Sequence, residues 1–430
     1  MHQLPAQLFQ IAKLKSIRRF DVLDQCRCSR RAVLDSVPGF VNKVVVHRCL
    51  TIKMHECILA QIQMECFCMP FATLLPVLFI AILLLWAFTR FYLRGENLGR
   101  YDRASGSLMN PADSEPSNVH YELVERFRGL HSNRPKGSLK KLLPGMRAEV
   151  DQWCEDVSLD GIRIQKVDVG GVPAEWVLAE DADTNRRLLY FHGGGFMAGS
   201  PTSHRAISTR LAKSQGTSVL VIDYRLCPEN TRLDCLADCQ SAYRWILDNG
   251  PEGPGPVEKF FVAGDSAGGN LTLAIIAWAR DEGLKAANGA IALSPGTDET
   301  WSSPSLRANL LTDPMLGSSL GKILAIPNGL FLWFAFLSNR MRPCDPRLSP
   351  AHGDLSNLPP ILIHASQAEM FLDDACRYVN KATDSGTDAS LQIWPHMLHV
   401  WHMFHGAMPE AQEAFQHIEK FMALNSPTNA

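Results

Sequence analysis

No sign of charge dominates this chain: 42 Lys and Arg stand against 44 Asp and Glu in 430 residues, a formal net charge of −2. A near-neutral chain without a basic patch interleaved by aromatics lacks the electrostatic footprint of a nucleic-acid binder. An internal repeat and a long low-complexity tract are also missing, which sets aside solenoids and disordered linkers. Cysteine is plentiful, twelve in all, but no two have the C-x-x-C spacing of a zinc or redox site. Cys235 and Cys239 stand one helical turn apart, and neither a metal, a disulfide framework nor any cofactor is implied.

Charged side chains are missing altogether from residues 66–89. Within that stretch Phe71–Phe88 is long enough to cross a hydrocarbon core of ~30 Å as a helix. It is apolar all round and flanked by Arg90 and Arg94, which fits a buried core helix poorly, and no small-residue cleavage site follows. The reading is a single-pass anchor over residues 71–91, with the lipid bilayer as partner. Arg90, Arg94, Arg100 and Arg103 follow the span while Lys53 alone lies close before it, which puts the remaining chain on the cytosolic side. The first 65 residues carry ten Lys and Arg against five Asp and Glu and show no recognisable pattern. Residues 1–70 are therefore expected to be poorly ordered, with Met54, Met64 and Met69 as alternative starts. Cys66 and Cys68 are either palmitoylation sites or unreactive buried thiols.

What is present is a pair of glycine-rich signatures, His192-Gly193-Gly194-Gly195-Phe196 and Gly264-Asp265-Ser266-Ala267-Gly268-Gly269. The second reads as G-x-S-x-G, a nucleophile elbow, in which a Cβ on either flanking glycine would strike the neighbouring strand or helix. That pattern alone arises by chance in about one chain in seven of this length, whereas an independent His-Gly-Gly-Gly is far rarer. Context agrees. Phe260–Ala263 is a short strand-forming run entering the elbow, and Leu271–Ala279 is an apolar helix ending before Gly283. Arg187–Phe191 reads as a strand into the His192 loop, followed by a helix over Ser203–Lys213. Bare backbone at Gly193 and Gly194 suits an oxyanion loop, so the two signatures together indicate a serine hydrolase.

With Asp223-Tyr224-Arg225-Leu226-Cys227-Pro228-Glu229, Asp345-Pro346-Arg347-Leu348-Ser349-Pro350 and Leu358–Ile363 added, the chain resembles the hormone-sensitive-lipase-like branch of the α/β-hydrolases. Arylacetamide deacetylases and fungal steryl acetyl hydrolases are its nearest-looking members, and the match runs from about Leu178 to the C-terminus. The resemblance implies an α/β fold with a mostly parallel sheet flanked by helices, a helical cap over 92–150, a catalytic domain over 151–430 and a lid near 304–342. In such a fold the triad runs Ser, acid, His along the chain. The family pattern assigns His399, in the loop after the strand Leu391–Trp394, as the base, and leaves His396, His402 and His405 as solvated or core residues.

For the acid, Glu369 takes the family's place after the strand Ile361–Ala365, though Ser366 and Ala368 depart from the usual residues; Asp373 is the alternative. Asp373 and Asp374 also read as first-turn acids of a helix. The architecture puts the oxyanion donors at the Gly193, Gly194 and Ala267 amides, with His192 bracing the loop and Asp265 supporting the elbow. The sequon Asn270-Leu271-Thr272 falls in the elbow helix and should be inaccessible. Phe331, Trp333, Phe334 and Phe336 suit either lid packing or a lipophilic ester substrate.

The expected activity is a membrane-anchored serine esterase or deacetylase removing a short acyl group from a lipophilic molecule such as a sterol or secondary metabolite. The relatives' membrane is the endoplasmic reticulum, with their catalytic domains in the lumen, opposite to the charge asymmetry. Two rival readings use the same residues: an acyltransferase or cyclase resolving the acyl-enzyme with another nucleophile, and a hydrolase-fold protein that only binds its ligand.

Overall fold

A computed structural model describes residues 71–110, 114–132, 137, 139–152 and 157–426. The expectation for residues 1–70 lies outside this range. The chain divides into two units, Met1–Leu85 and Trp86–Ala430. Most of helix α1 (Phe71–Ala87) belongs to the first. Its 17 residues rise about 26 Å, and helical turns continue the run Leu75–Tyr101, which is long and apolar enough to cross a membrane and has none of its apolar window buried.

The second unit is built on a nine-stranded sheet. Its strands are β1 (Ser107–Leu108), β2 (Ile162–Asp168), β3 (Pro173–Ala179), β4 (Asp183–Phe191), β5 (Thr217–Ile222), β6 (Lys259–Asp265), β7 (Gly289–Leu293), β8 (Ile361–Ser366) and β9 (Ala389–Trp394). Their spatial order is β1-β9-β8-β7-β6-β4-β5-β3-β2. β3 runs antiparallel to both β2 and β5, and every other pairing is parallel. This is the α/β-hydrolase fold with its mostly parallel sheet, as expected.

Helices cover both faces, which is why the central strands read as unbroken apolar runs. Along β4, Leu188 and Tyr190 join a core with α4 (Arg205–Ala212) and α11 (Pro409–Leu424). Leu189 and Phe191 point the other way, into a core shared with α5 (Arg232–Asp248), α6 (Ala267–Asp281) and α10 (Leu372–Asp384). Each such side chain contributes roughly 1.5–3 kcal/mol on burial, against ~0–1 kcal/mol for an exposed ion pair. The sheet, not surface charge, therefore fixes the positions of the loops.

Outside these layers lie α2 (Asn118–Ser132) and α3 (Leu139–Gln152), in the segment expected to be a cap. Residues 304–342 form α7 (Ser305–Ala308), α8 (Gly317–Leu324) and α9 (Asn328–Asn339), the last two bent by 105°. Residues 249–254 contain a small hairpin in which Gly250 pairs with Gly253.

Because β4, β6, β7, β8 and β9 are parallel, their carboxyl ends open on one edge. That edge carries the His192 loop, Ser266, Ser294, Glu369 and His399.

Candidate active site

Ser266 occupies the one-residue turn between β6 and α6 with φ 51° and ψ −114°, a conformation unusual for a non-glycine residue. Such strain costs of order 1–3 kcal/mol and holds the hydroxyl clear of the sheet. The flanking glycines are obligatory: a Cβ on Gly264 would lie 2.4 Å from the Gly268 carbonyl oxygen, and one on Gly268 would lie 1.9 Å from that of Phe191.

His399, 4 % exposed, hangs in the loop after β9 with its Nε2 2.8 Å from Ser266 Oγ. Its Nδ1 faces Glu369 Oε2 at 3.9 Å, an ion-pair distance too long for a hydrogen bond. Neither of these two buried atoms has a hydrogen-bond partner among the described residues. Glu369 is fully buried, and its Oε1 accepts a 2.5 Å bond from Ser294 Oγ, which also accepts from the Val400 amide at 3.2 Å. Asp373, the alternative acid, is turned away, accepting from the Ser305 amide at 2.7 Å. Burial pushes the Glu369 carboxyl above the usual carboxylate range, only partly offset by His399 and Ser294. For His399 burial opposes the charge, yet Glu369, Asp313 and Asp265 outweigh it and raise the imidazole above its ordinary value.

The oxyanion loop corrects one expectation. The Gly193 N–H does not face the nucleophile; it donates to Asp265 Oδ1 at 3.0 Å and to His204 Nε2 at 3.2 Å. The reason is steric and electrostatic: a buried carboxylate sits where a Gly193 Cβ would stand, 2.1 Å from Asp265 Oδ2. Asp265 also accepts from Tyr190 Oη at 2.6 Å, so it ties the elbow, β4 and the loop together. Burial works against its charge, but His204 and Tyr190 keep it below the ordinary carboxylate range. Gly194, with φ +111°, and Gly195, with φ +61°, take conformations that favour glycine. Their amides, and that of Ala267, make no hydrogen bond to a protein acceptor among the described residues. The amides left without a protein acceptor are thus those of Gly194, Gly195 and Ala267, and Gly195 went unread in the sequence because a run of three glycines does not reveal which N–H is already bonded.

His192 braces the loop as expected: its Nδ1 contacts the Gly193 carbonyl at 2.8 Å, its ring stacks on Tyr224 at 4.2 Å, and burial drives its pKa down to about 3. His402 is fully buried against His364, with 3.0 Å between ring nitrogens, while His405 contacts the Ala206 carbonyl at 2.9 Å. Asn270 is 1 % exposed and donates to the Gly296 and Leu348 carbonyls, which closes the sequon.

Two further carboxylates are buried close to the site. Asp374, like Asp373, stands in the first turn of α10 as read from the sequence; it is buried there, accepts from the Thr297 amide at 2.7 Å and the Asp298 amide at 3.0 Å, and is pushed up to about 7 by burial and by Asp298. Asp313, unread in the sequence, is 2 % exposed and accepts from the amides of Met315, Leu316 and Met370. No local signal marked it, because its proximity to the acid loop exists only after the segment 304–342 folds back. A cavity of about 650 Å³ beside α2, lined by His120, Tyr121, Thr312, Ala368 and His396 among others, includes neither Ser266 nor His399.

Three peripheral elements each grip one loop of the site. Phe127 of α2 packs with Trp394, Leu398 and Trp401 around the histidine loop. Arg147 of α3 donates to the Met197 carbonyl at 2.8 Å and the Cys227 carbonyl at 3.2 Å, at the far end of the oxyanion loop. The root of the 304–342 segment holds the acid loop: Asn309 donates to the Gln367 and Glu369 carbonyls at 2.8 and 2.7 Å, and Thr312 to that of Ala368 at 3.0 Å.

Residues 188–403 match a family model described as the alpha/beta hydrolase fold. An acetyl-hydrolase of Streptomyces hygroscopicus is 36 % identical over 250 residues, covering 58 % of this chain and 79 % of the relative. An esterase of Acinetobacter venetianus is 30 % identical over 277 residues, 64 % of this chain and 87 % of that protein. Among solved structures, an esterase/lipase from an uncultured bacterium superposes with a TM-score of 0.62 at 33 % identity, covering 72 % of this chain and 99 % of the other. A hormone-sensitive lipase from a metagenome library gives a TM-score of 0.61 at 28 % identity, over 73 % and 99 % of the two chains.

Proposed function

This chain belongs to the α/β-hydrolase fold family, among its carboxylic ester hydrolases, and on that premise we propose that it is a serine esterase with Ser266 as nucleophile. The observation that carries the reading is the 2.8 Å contact between His399 Nε2 and Ser266 Oγ on the strained elbow. Ser266 Oγ attacks the ester carbonyl carbon while its proton passes to His399 Nε2. Negative charge gathers on the carbonyl oxygen, where the Gly194, Gly195 and Ala267 amides donate to it. Collapse breaks the ester C–O bond, and the proton on His399 leaves with the alcohol. Water then repeats the sequence on the acyl-enzyme and returns Ser266 to its hydroxyl form.

Glu369 orients His399 and balances its charge. The 3.9 Å separation shortens to hydrogen-bond length as the imidazolium forms, since catalytic contacts commonly tighten only with substrate bound. A short acyl group, acetyl first, is supported by the acetyl-hydrolase relative, and a lipophilic alcohol portion by the resemblance to steryl acetyl hydrolases and arylacetamide deacetylases. Residues 71–91 anchor the enzyme in a membrane of the endoplasmic-reticulum type, the reading that the deacetylase resemblance favours.

Turnover of a p-nitrophenyl ester series from acetate to palmitate, by the full chain and by Ser266→Ala, tests this reading. Wild type should prefer the short esters, and the variant should lose at least about 10⁴-fold in kcat. Residual turnover in the variant within ten-fold of wild type would remove Ser266 from the mechanism. Faster turnover of palmitate than acetate would overturn the short-chain assignment alone.

A further inference from the structure

Helix α9 has a surface that neither the sheet nor the catalytic loops use. Its residues Phe331 and Leu332 are buried, and Trp333 and Phe336 pack against Phe88 at 5.1 and 5.8 Å. Trp333 Nε1 also donates to Thr89 Oγ1 at 2.8 Å. Yet Leu330, Phe334 and Leu337, spaced by four and three residues and hence on one face, are 63 %, 67 % and 69 % exposed. Phe91 and Tyr92, in the turn that α9 packs against, are 68 % and 44 % exposed. Stripes of this kind on a charged, soluble surface mark an interaction site.

Charge and chain continuity point to one occupant. From Pro314 to Cys344 there is no Asp or Glu, and the cations there are Lys322, Arg340 and Arg342. From Phe71 to Gly95 there is again no acid, and the cations are Arg90 and Arg94. An apolar stripe set among cations, with no acid, complements anionic headgroups over acyl chains. A second copy of the same face would oppose like charges. The segment that α9 packs on, Phe88–Leu93, follows α1 directly in the chain.

We propose that the outer face of α9, with Phe91 and Tyr92, is a docking surface for an anionic lipid bilayer. The inference rests on residues 71–91 being a span, and it makes α9 a second, interfacial element on the membrane that the span enters. It does not depend on the chemistry at Ser266. In consequence, an ester dissolved in the bilayer reaches the enzyme more readily than the same ester presented in water.

The test uses the full chain reconstituted in phosphatidylcholine vesicles containing about 30 % phosphatidylserine, with photoreactive benzoylphenylalanine in place of Phe334. A control chain carries it in place of the exposed Leu424 of α11. Lipid adducts at position 334 should exceed those at 424 by roughly five-fold or more and should drop several-fold without phosphatidylserine. Adducts between protein chains, or no excess of lipid adduct at 334, would overturn the proposal. Retention of the chain on vesicles after a carbonate wash reads the span separately. The combined variant Leu330→Gln, Phe334→Gln, Leu337→Gln should hydrolyse p-nitrophenyl acetate in solution like wild type. It should lose roughly ten-fold on hexadecyl acetate dissolved in the vesicles, and an equal rate on both esters would also overturn the inference. Failure of wild type on both esters would count against the esterase reading and leave the adduct measurement decisive here.

Discussion

Glu369 and His399 place opposed demands on one proton. Burial favours a neutral carboxyl, while the carboxylates around His399 favour an imidazolium. A general base works only when neutral, so activity should rise with pH through a His399 pKa that lies above the ordinary imidazole value of about 6.5. Replacing Glu369 with Gln removes the largest influence raising that pKa. The acid limb of kcat/KM for p-nitrophenyl acetate should then move to lower pH, and kcat should fall by about 10²–10⁴-fold. An unmoved limb would shift the orienting role to another carboxylate, of which Asp313 is the nearest candidate by its influence on His399. Asp373→Ala, by contrast, should leave kcat within about three-fold and cost ~1 kcal/mol through the lost acceptor at Ser305, read as a lower Tm. Gly194→Ala puts a Cβ 2.1 Å from the Ala198 carbonyl oxygen and should lower kcat by about 10²-fold or more, with KM less affected.

At the scale of elements, the site is a set of loops held from outside. Arg147 is the only side chain of α3 that bonds to both Met197 and Cys227 among the described residues. Its guanidinium is part-exposed and is also paired with Glu229 at 2.8 Å, so Arg147→Ala should cost little stability. The oxyanion loop would lose its distal tether, and kcat should fall about ten-fold with no shift in the pH profile. Asn309→Ala removes two bonds from the acid loop and leaves the Gln367 and Glu369 carbonyls to find other donors. The expected result is ~1–3 kcal/mol of destabilisation, measured by urea unfolding, together with a lower kcat. If Asn309→Ala unfolds at the wild-type midpoint, the lid root is not a clamp.

For the whole molecule, the compact unit begins at Trp86, and Phe88 fills part of the cluster around Leu93, Phe331 and Leu332. A chain trimmed to residues 86–430 should therefore fold and hydrolyse p-nitrophenyl acetate within about two-fold of the full chain. Trimming instead at residue 92 removes the ring stacked on Trp333 and should lower Tm by several degrees, about the effect of a large-to-small core change. The full chain should resist carbonate extraction from membranes, and the 86–430 chain should bind anionic vesicles in a salt-sensitive manner. Salt-independent sedimentation of the trimmed chain would contradict the charge argument for α9.

Local chemistry was enough to reveal much of this. The elbow glycines, the apolar strand runs and the charge-free stretch each obey a constraint acting over a few residues, so the fold class and Ser266 were legible in the chain itself. His399 and Glu369 were legible through the family pattern of a strand followed by a short loop. What tertiary structure alone decided was which polar groups meet. Gly193 lost its place among the oxyanion donors because Asp265, 72 residues away in the chain, takes its N–H. Asp374, a first-turn acid as read, gained the Thr297 and Asp298 amides as donors, and Asp313 was brought to the acid loop through Met370. A hydrogen bond needs its partners within about 3 Å, and no pattern along the chain reports a distance between segments that only packing brings together.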